Sequence, residues 1–201
     1  MSELTPTRSA VIGLRDERRA MREGYVFLDE KCLLLAGAML QELRRFDAAS
    51  AALRRLVARA GAALAAAVRR HGLEGVQCQP AMPPDALAVA PRWRSLLGVH
   101  LVQVEVGKSG FDAPEAVYAS PEASVCSDAF LELSAQLAVM AATSGNLERL
   151  YREYRKSVRR VRALQDVLLP ELDRNLYNVE SQLEELEQDE ALGARWGRVR
   201  D

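Results

Sequence analysis

The sequence predicts a mainly α protein: a long antiparallel two-helix coiled coil with a small β-hairpin and loops inserted between the helices. Three observations lead there. Ala, Leu, Arg and Glu, all strong helix formers, dominate a chain in which aromatic residues make up only 5%. Apolar positions recur in a seven-residue pattern on both sides of a central break. Six of the eight prolines fall in that break, between Gly72 and Pro121. The predicted organisation is therefore residues 1–71 as the first helix, 72–121 as the insert, and 122–201 as the second helix with a short tail.

The first helix is expected to start at Thr5-Pro6, with Thr as N-cap and Pro at the first helical position. One seven-residue row runs through Tyr25, Cys32, Met39, Phe46, Leu53, Ala60 and Ala67. A second runs through Leu14, Met21, Leu28 and Leu35, breaks at Glu42, and resumes at Ala49, Leu56 and Ala63. A continuous helix of that extent would reach about 90–100 Å at 1.5 Å per residue. Its seam requires a partner helix. His71-Gly72 ends the pattern, with Gly just past the last helical residue.

In the insert, the β-branched, partly alternating run Val99–Val106 reads as a strand. Gly107-Lys108-Ser109-Gly110 reads as the turn, and 115–118 as the return strand. Ser120-Pro121-Glu122 is the next helix start: N-cap, first-position proline, then an acid near the positive helix end. The second apolar stripe runs through Phe130, Leu133, Leu137, Met140, Leu147, Tyr151, Tyr154, Val158 and Val161. It continues through Leu164 and Leu168, meets Pro170, and resumes at Leu172, Leu176, Val179, Leu183 and Leu186, which predicts a helix continuing through a kink. Packing the two helices antiparallel buries both stripes and puts the insert at the end away from both termini.

Composition narrows the function. The formal net charge is −1, so nothing global favours nucleic acid or an anionic membrane. Cys32, Cys78 and Cys126 are scattered and read as free thiols; they form neither a metal motif nor a disulfide framework. The N-terminus lacks a signal-peptide pattern, and no uninterrupted apolar run is long enough to span a bilayer, so a cytoplasmic protein without membrane insertion is expected. Gly107-Lys108-Ser109 has Val102 where a phosphate-binding loop needs Gly. His71 and His100 have no partner cluster. No cofactor is predicted. The acidic run Glu180–Glu190 reads as a solvated face or a contact for a basic partner. The arginines Arg152, Arg155, Arg159, Arg160 and Arg162 read as ion-paired or partner-facing, with a nucleic-acid patch disfavoured by the balanced charge.

The segment Arg159-Arg160-Val161-Arg162-Ala163-Leu164-Gln165-Asp166-Val167-Leu168-Leu169-Pro170 resembles the RRVNALExVxIP signature of the D subunits of V/A-type rotary ATPases. Leu183-Glu184-Glu185-Leu186-Glu187 resembles its LEExE continuation, Pro6-Thr7-Arg8 its PTR start, Gly24 with Phe27–Lys31 its G…LLKxK segment, and Leu97-Gly98-Val99 its central xGV. The likeness covers the whole chain in order. Cys32 and Leu33 depart from that family's usual Arg-Asp, and Arg162 from its Asn. The resemblance implies a non-catalytic central-stalk shaft of an ion-transporting ATPase. Its partners would be the F subunit of the central stalk, the A and B subunits of the catalytic hexamer, and the subunit capping the membrane ring, on the cytoplasmic face of the membrane. It further implies partner contacts at Thr7, Arg8, Lys31, Arg159, Arg160, Gln165, Glu184 and Glu187. The residues alone also allow a free-standing coiled-coil adaptor or scaffold.

Overall fold

The computed structural model describes residues 5–80, 86–108 and 120–198. The order of elements is α1 (Arg8–Gln77), β1 (Leu87–Leu96), β2 (Val99–Lys108), α2 (Pro121–Ala163), a π-helical turn (Leu164–Leu168) and α3 (Leu169–Arg198). The mainly α class with one small antiparallel hairpin agrees with the sequence. The chain divides into two compact units, Met1–Leu34 with Tyr154–Asp201, and Leu35–Glu153.

In the first unit α1 begins later than expected. Thr7, not Thr5, is the N-cap: its Oγ1 accepts the Ala10 N–H at 3.1 Å, and its carbonyl accepts from Val11. Pro6 lies one residue outside the helix. A hydroxyl two or three residues before a free helical N–H satisfies it directly, and this decides between the two threonines. The start of α1 runs antiparallel to α3. Arg8 pairs with Glu187, Arg15 with Glu180 and Arg18 with Asp173, so the paired numbers fall as the others rise. Val11 and Leu14 bury against Leu172, Leu176 and Val179, with Ala10, Met21 and Leu183 packed on the cluster.

Pro170 does not stop the helix. The turn before it widens: the Leu169 N–H reaches back to the Leu164 carbonyl, a five-residue closure. Proline has no N–H, and its ring crowds the carbonyl four residues back, so one extra residue in the turn relieves the clash. The seam shows that extra residue. The row Leu150, Tyr154, Ser157, Val161, Leu164 would continue at 168, 171, 175 and 178; the buried side chains are instead Leu172, Leu176 and Val179, one position on. The expected kink is thus a π turn with a one-residue register shift.

In the second unit the seam of α1 follows both predicted rows. Leu35, Ala49, Ala60 and Ala67 are buried. So is Glu42, at 3% exposure, although the sequence reads it as a break in the row. On α2 the buried row is Cys126, Ala129, Thr143, Asn146 and Leu150, which corrects the predicted stripe. Phe130, Leu137 and Tyr151 are exposed, each one residue past a seam position. Small side chains take the seam on both helices, letting the backbones approach closely enough for Gln136 Nε2 to donate to the Ala49 carbonyl at 3.2 Å. Arg59 and Glu132 pair across this seam.

The helical conformation of α1 breaks at Gly72 (φ 72°, ψ 170°), as the Gly signal predicts, but helix resumes to Gln77. Ser120 caps α2 as expected, accepting the Ala123 N–H at 3.2 Å, and His71 Nε2 lies 2.6 Å from the same hydroxyl. His71 thereby ties α1 to the start of α2.

The hairpin differs from the prediction. β2 matches the expected strand, but its partner precedes it: β1 pairs antiparallel with Leu96 opposite Val99 and Leu87 opposite Lys108. Leu97 and Gly98 form the two-residue turn, both at positive φ (51° and 84°). This is the primed geometry that matches strand twist. Pro91 disguises β1 in the sequence. In this register Pro91 faces Val104 as a non-hydrogen-bonded pair, so its missing N–H points outward and no ladder bond is lost. Gly107 and Lys108 end β2; the expected return strand at 115–118 lies outside the described residues. Nor does the hairpin stand off the end of the helices. It folds back along them, fixed at Glu42 of α1 and Asn146 of α2.

Cys32 and Cys126 are buried free thiols and Cys78 is an exposed one. Burial, then the neighbouring Asp29 carboxylate, push the Cys32 thiol above its ordinary value. By length and mean hydropathy alone, the helical stretch Pro121–Gly193 holds one window apolar enough to cross a membrane, although Asp128 and Glu132 interrupt its apolar run.

Candidate partner-contact surface

The residues expected to meet partners sort into two groups. The first is already engaged within the first unit. Thr7 caps α1. Arg8 donates through Nε and Nη2 to Glu187 Oε1 at 3.1 and 2.8 Å. The hydrogen bond to Glu187, then its charge, raise the Arg8 pKa above its ordinary value. Arg8 and Glu187 are therefore brought together with each other, and any partner meets them as a neutral pair.

The second group, Arg159, Arg160, Gln165 and Glu184, faces outward. With Ser157 and Val161 buried on the seam, Arg159, Arg160 and Arg162 fall on the other faces of the helix, and all three are exposed. None forms an ion pair among the described residues. Arg152, by contrast, is used internally, donating to Glu148 at 2.5 Å one turn away. Gln165 sits in the π turn, one turn beyond Arg162. Glu184 is exposed on the acidic end of α3. Lys31 is half-buried beside the buried Cys32.

The structure adds a feature that sequence reading passes over. Arg15, Arg18, Arg19 and Arg22, with Glu23, line an open groove on α1. Their spacing of three, four and seven is the signal that places them on one side of a helix. Arg15 and Arg18 are taken by Glu180 and Asp173, at 2.7 and 2.6 Å. Arg19 and Arg22 make no ion pair among the described residues. The first unit thus carries exposed arginine charge on both of its strands of helix, beside an acidic stretch toward the end of α3.

Chemically this surface offers exposed charge for contact with other chains. Among the described residues no three His, Cys, Asp or Glu side chains gather as a metal site. The two histidines lie apart: His71 holds the α2 cap, and His100 is exposed on β2.

The family model for the D subunit of ATP synthase matches residues 10–195. The D subunit of a V-type ATP synthase from Thermotoga neapolitana is 25% identical over 191 residues, covering 93% of this chain and 93% of the relative. The D subunit of the A-type ATP synthase of Pyrococcus furiosus is 26% identical over 198 residues, covering 93% and 89%. A second V-type D subunit, from Treponema pallidum, is 25% identical over 190 residues, covering 92% and 90%. A match that spans nearly the whole chain, on a chain of two long helices around one hairpin, assigns it: this protein belongs to the family of ATP synthase D subunits.

Proposed function

We propose that this chain is the central-stalk rotor subunit of a V/A-type ATP synthase, coupling ATP hydrolysis or synthesis in an A/B hexamer to ion translocation by the membrane ring. The supporting observation is coverage: D-subunit relatives of both V- and A-type align along nine-tenths of the chain. In that role residues 1–71 and 122–201 form the shaft and 72–121 the insert. The chain contributes no catalytic group and no cofactor. ATP is turned over at A/B interfaces, and the shaft is the moving part.

The geometry suits such a task in three ways. Ion pairs and small-residue seams hold the helices to one another. The π turn before Pro170 makes the surface asymmetric about the helix axis. Exposed arginines leave charge available to other subunits. The partners are the F subunit, the A and B subunits, and the subunit that caps the membrane ring, with the chain peripheral on the cytoplasmic face. Thr7, Arg8, Lys31, Arg159, Arg160, Gln165, Glu184 and Glu187 are proposed contacts, with Arg159 and Arg160 foremost.

Co-expression with the A, B and F subunits of the same host tests this role. The expected result is stoichiometric recovery of F and one copy of this chain per A/B hexamer. Recovery only as a lone homodimer would overturn the rotor reading in favour of a coiled-coil adaptor, and salt-sensitive retention on nucleic acid would overturn it in favour of a nucleic-acid binder.

A further inference from the structure

The packed seam of the first unit thins along one stretch, where its residues are half-buried at most. On α1 no residue between Leu14 and Cys32 is buried. On the facing chain none is buried between Val161 and Leu172, a stretch that contains the whole π turn. The two stretches lie level with each other. Met21 packs on the cluster that holds Leu172. One turn further along α1 is Gly24, and one turn back from Leu172 is Leu168. Through the π turn the seam position passes from Leu164 to Leu169, both only half-buried, while Val167 and Leu168 stay 50% and 39% exposed beside it.

Both helices are locally weak at that level. Pro170 removes one backbone hydrogen bond, and the π turn before it has longer, poorer closure than an α turn. Gly24 is the weakest helix former after proline. Packing does not require it, because a Cβ there would meet nothing within 4 Å. A helix pair gains most of its rigidity from buried side chains, so a layer whose seam positions are only half-buried, carrying Gly on one helix and a π turn with Pro on the other, opens more readily than the layers on either side.

We infer that this layer, Met21–Leu28 against Leu164–Pro170, is a flexural joint built into the helix pair. The cluster of Val11, Leu14, Leu172, Leu176 and Val179 moves as one body on one side of it, and the segment bearing Cys32, Ser157 and Val161 as another. The one-residue shift in the buried row is what lets the seam close again beyond the joint. The inference rests on the first unit alone and does not use the proposed rotor role.

Hydrogen–deuterium exchange of the full-length chain, resolved by peptide, tests it. Amides of 21–28 and 164–169 should exchange at least about tenfold faster than those of 11–18 and 172–179. Equal or slower exchange overturns the joint. Deleting Val167 together with Pro170→Ala should turn the π turn into α-helix while keeping the downstream row in phase. Exchange of the layer should then slow about tenfold, toward that of its flanks; unchanged exchange in the folded variant would also overturn it. Gly24→Ala, which adds a methyl group into open space, should slow 21–28 several-fold with the flanks unmoved. Should the deletion variant fail to fold, the wild-type profile and Gly24→Ala decide the matter between them.

Discussion

The side-chain amide of Asn146 closes both backbone groups of Val102: its Oδ1 accepts the N–H and its Nδ2 donates to the carbonyl, each at 2.8 Å. Val102 faces Trp93 in a non-hydrogen-bonded pair, so these backbone groups point away from β1. Asn146 thus stands in for the missing neighbouring strand and fastens the hairpin edge to α2. At 3% exposure, it has little access to replacement by water. Asn146→Ala should destabilise the protein by about 1–3 kcal/mol in urea unfolding. Asn146→Asp should be as damaging, because a carboxylate presents no donor to the Val102 carbonyl. A wild-type stability for the Asp variant would refute the bidentate arrangement.

Leu97 occupies a turn position that suits Gly or Asn. Its φ of 51° brings its Cβ against the following carbonyl, at about 1–2 kcal/mol for an ordinary L-residue. Asn tolerates this conformation, and Asn-Gly is the favoured pair for this turn. Leu97→Asn should therefore raise the stability of the hairpin-bearing unit by about 0.5–1 kcal/mol, seen as a rise of about 2–4 °C in Tm per kcal/mol. A fall in Tm would mean that the Leu97 side chain packs usefully despite its strain.

Glu42 accepts from Arg45 at 2.8 Å, one turn on in α1, and from Arg94 of β1 at 3.3 Å. The carboxylate is almost wholly buried and both arginines are about half-exposed. Glu42→Ala should cost about 2–4 kcal/mol, since it removes the bridge between helix and hairpin. Arg94→Ala should cost about 1 kcal/mol, because Arg45 remains and solvent screens the exposed arginine. A double-mutant cycle on Glu42 and Arg94 should give a coupling of at least about 0.5 kcal/mol; additivity would show that the hairpin does not lean on this contact.

Much of this fold is legible because heptad spacing reports a buried face regardless of residue size. Both rows of α1 predicted from Leu14 to Ala67 fall on buried or half-buried positions. Where apolarity outweighs spacing, the reading slips by one residue: Phe130, Leu137 and Tyr151 look like seam, but Ala129, Gln136 and Leu150 occupy it. The same bias hides Glu42 and Asn146, polar residues whose burial depends on a hairpin docked from elsewhere in the chain. β1 escapes notice because Pro91 argues against a strand unless its register is known. In the proposed contact surface, the Arg159–Pro170 stretch is plain from its residues. The Arg15–Arg22 groove is not, because three- and four-residue spacing of arginines on a helix reads equally well as a solvated face.

Arg159 and Arg160 offer the sharpest division between structure and role. Both are exposed, and neither makes an ion pair among the described residues, so nothing in the described fold depends on their charge. Reversing both to Glu should leave the thermal unfolding of the free chain within about 0.5 kcal/mol of wild type. On the rotor reading the same change reverses the charge of a surface that meets the hexamer or the F subunit. Assembly should weaken, and ATP hydrolysis by the reconstituted complex should lose its coupling to ion movement. The salt dependence of assembly should also change, since screening acts on these charges. A variant that folds, assembles with A, B and F, and stays coupled would remove both arginines from the contact surface. A variant that is destabilised on its own would show instead that they support the helix pair. Arg152→Glu is the internal control: it breaks the Glu148 pair within one helix and should leave assembly intact.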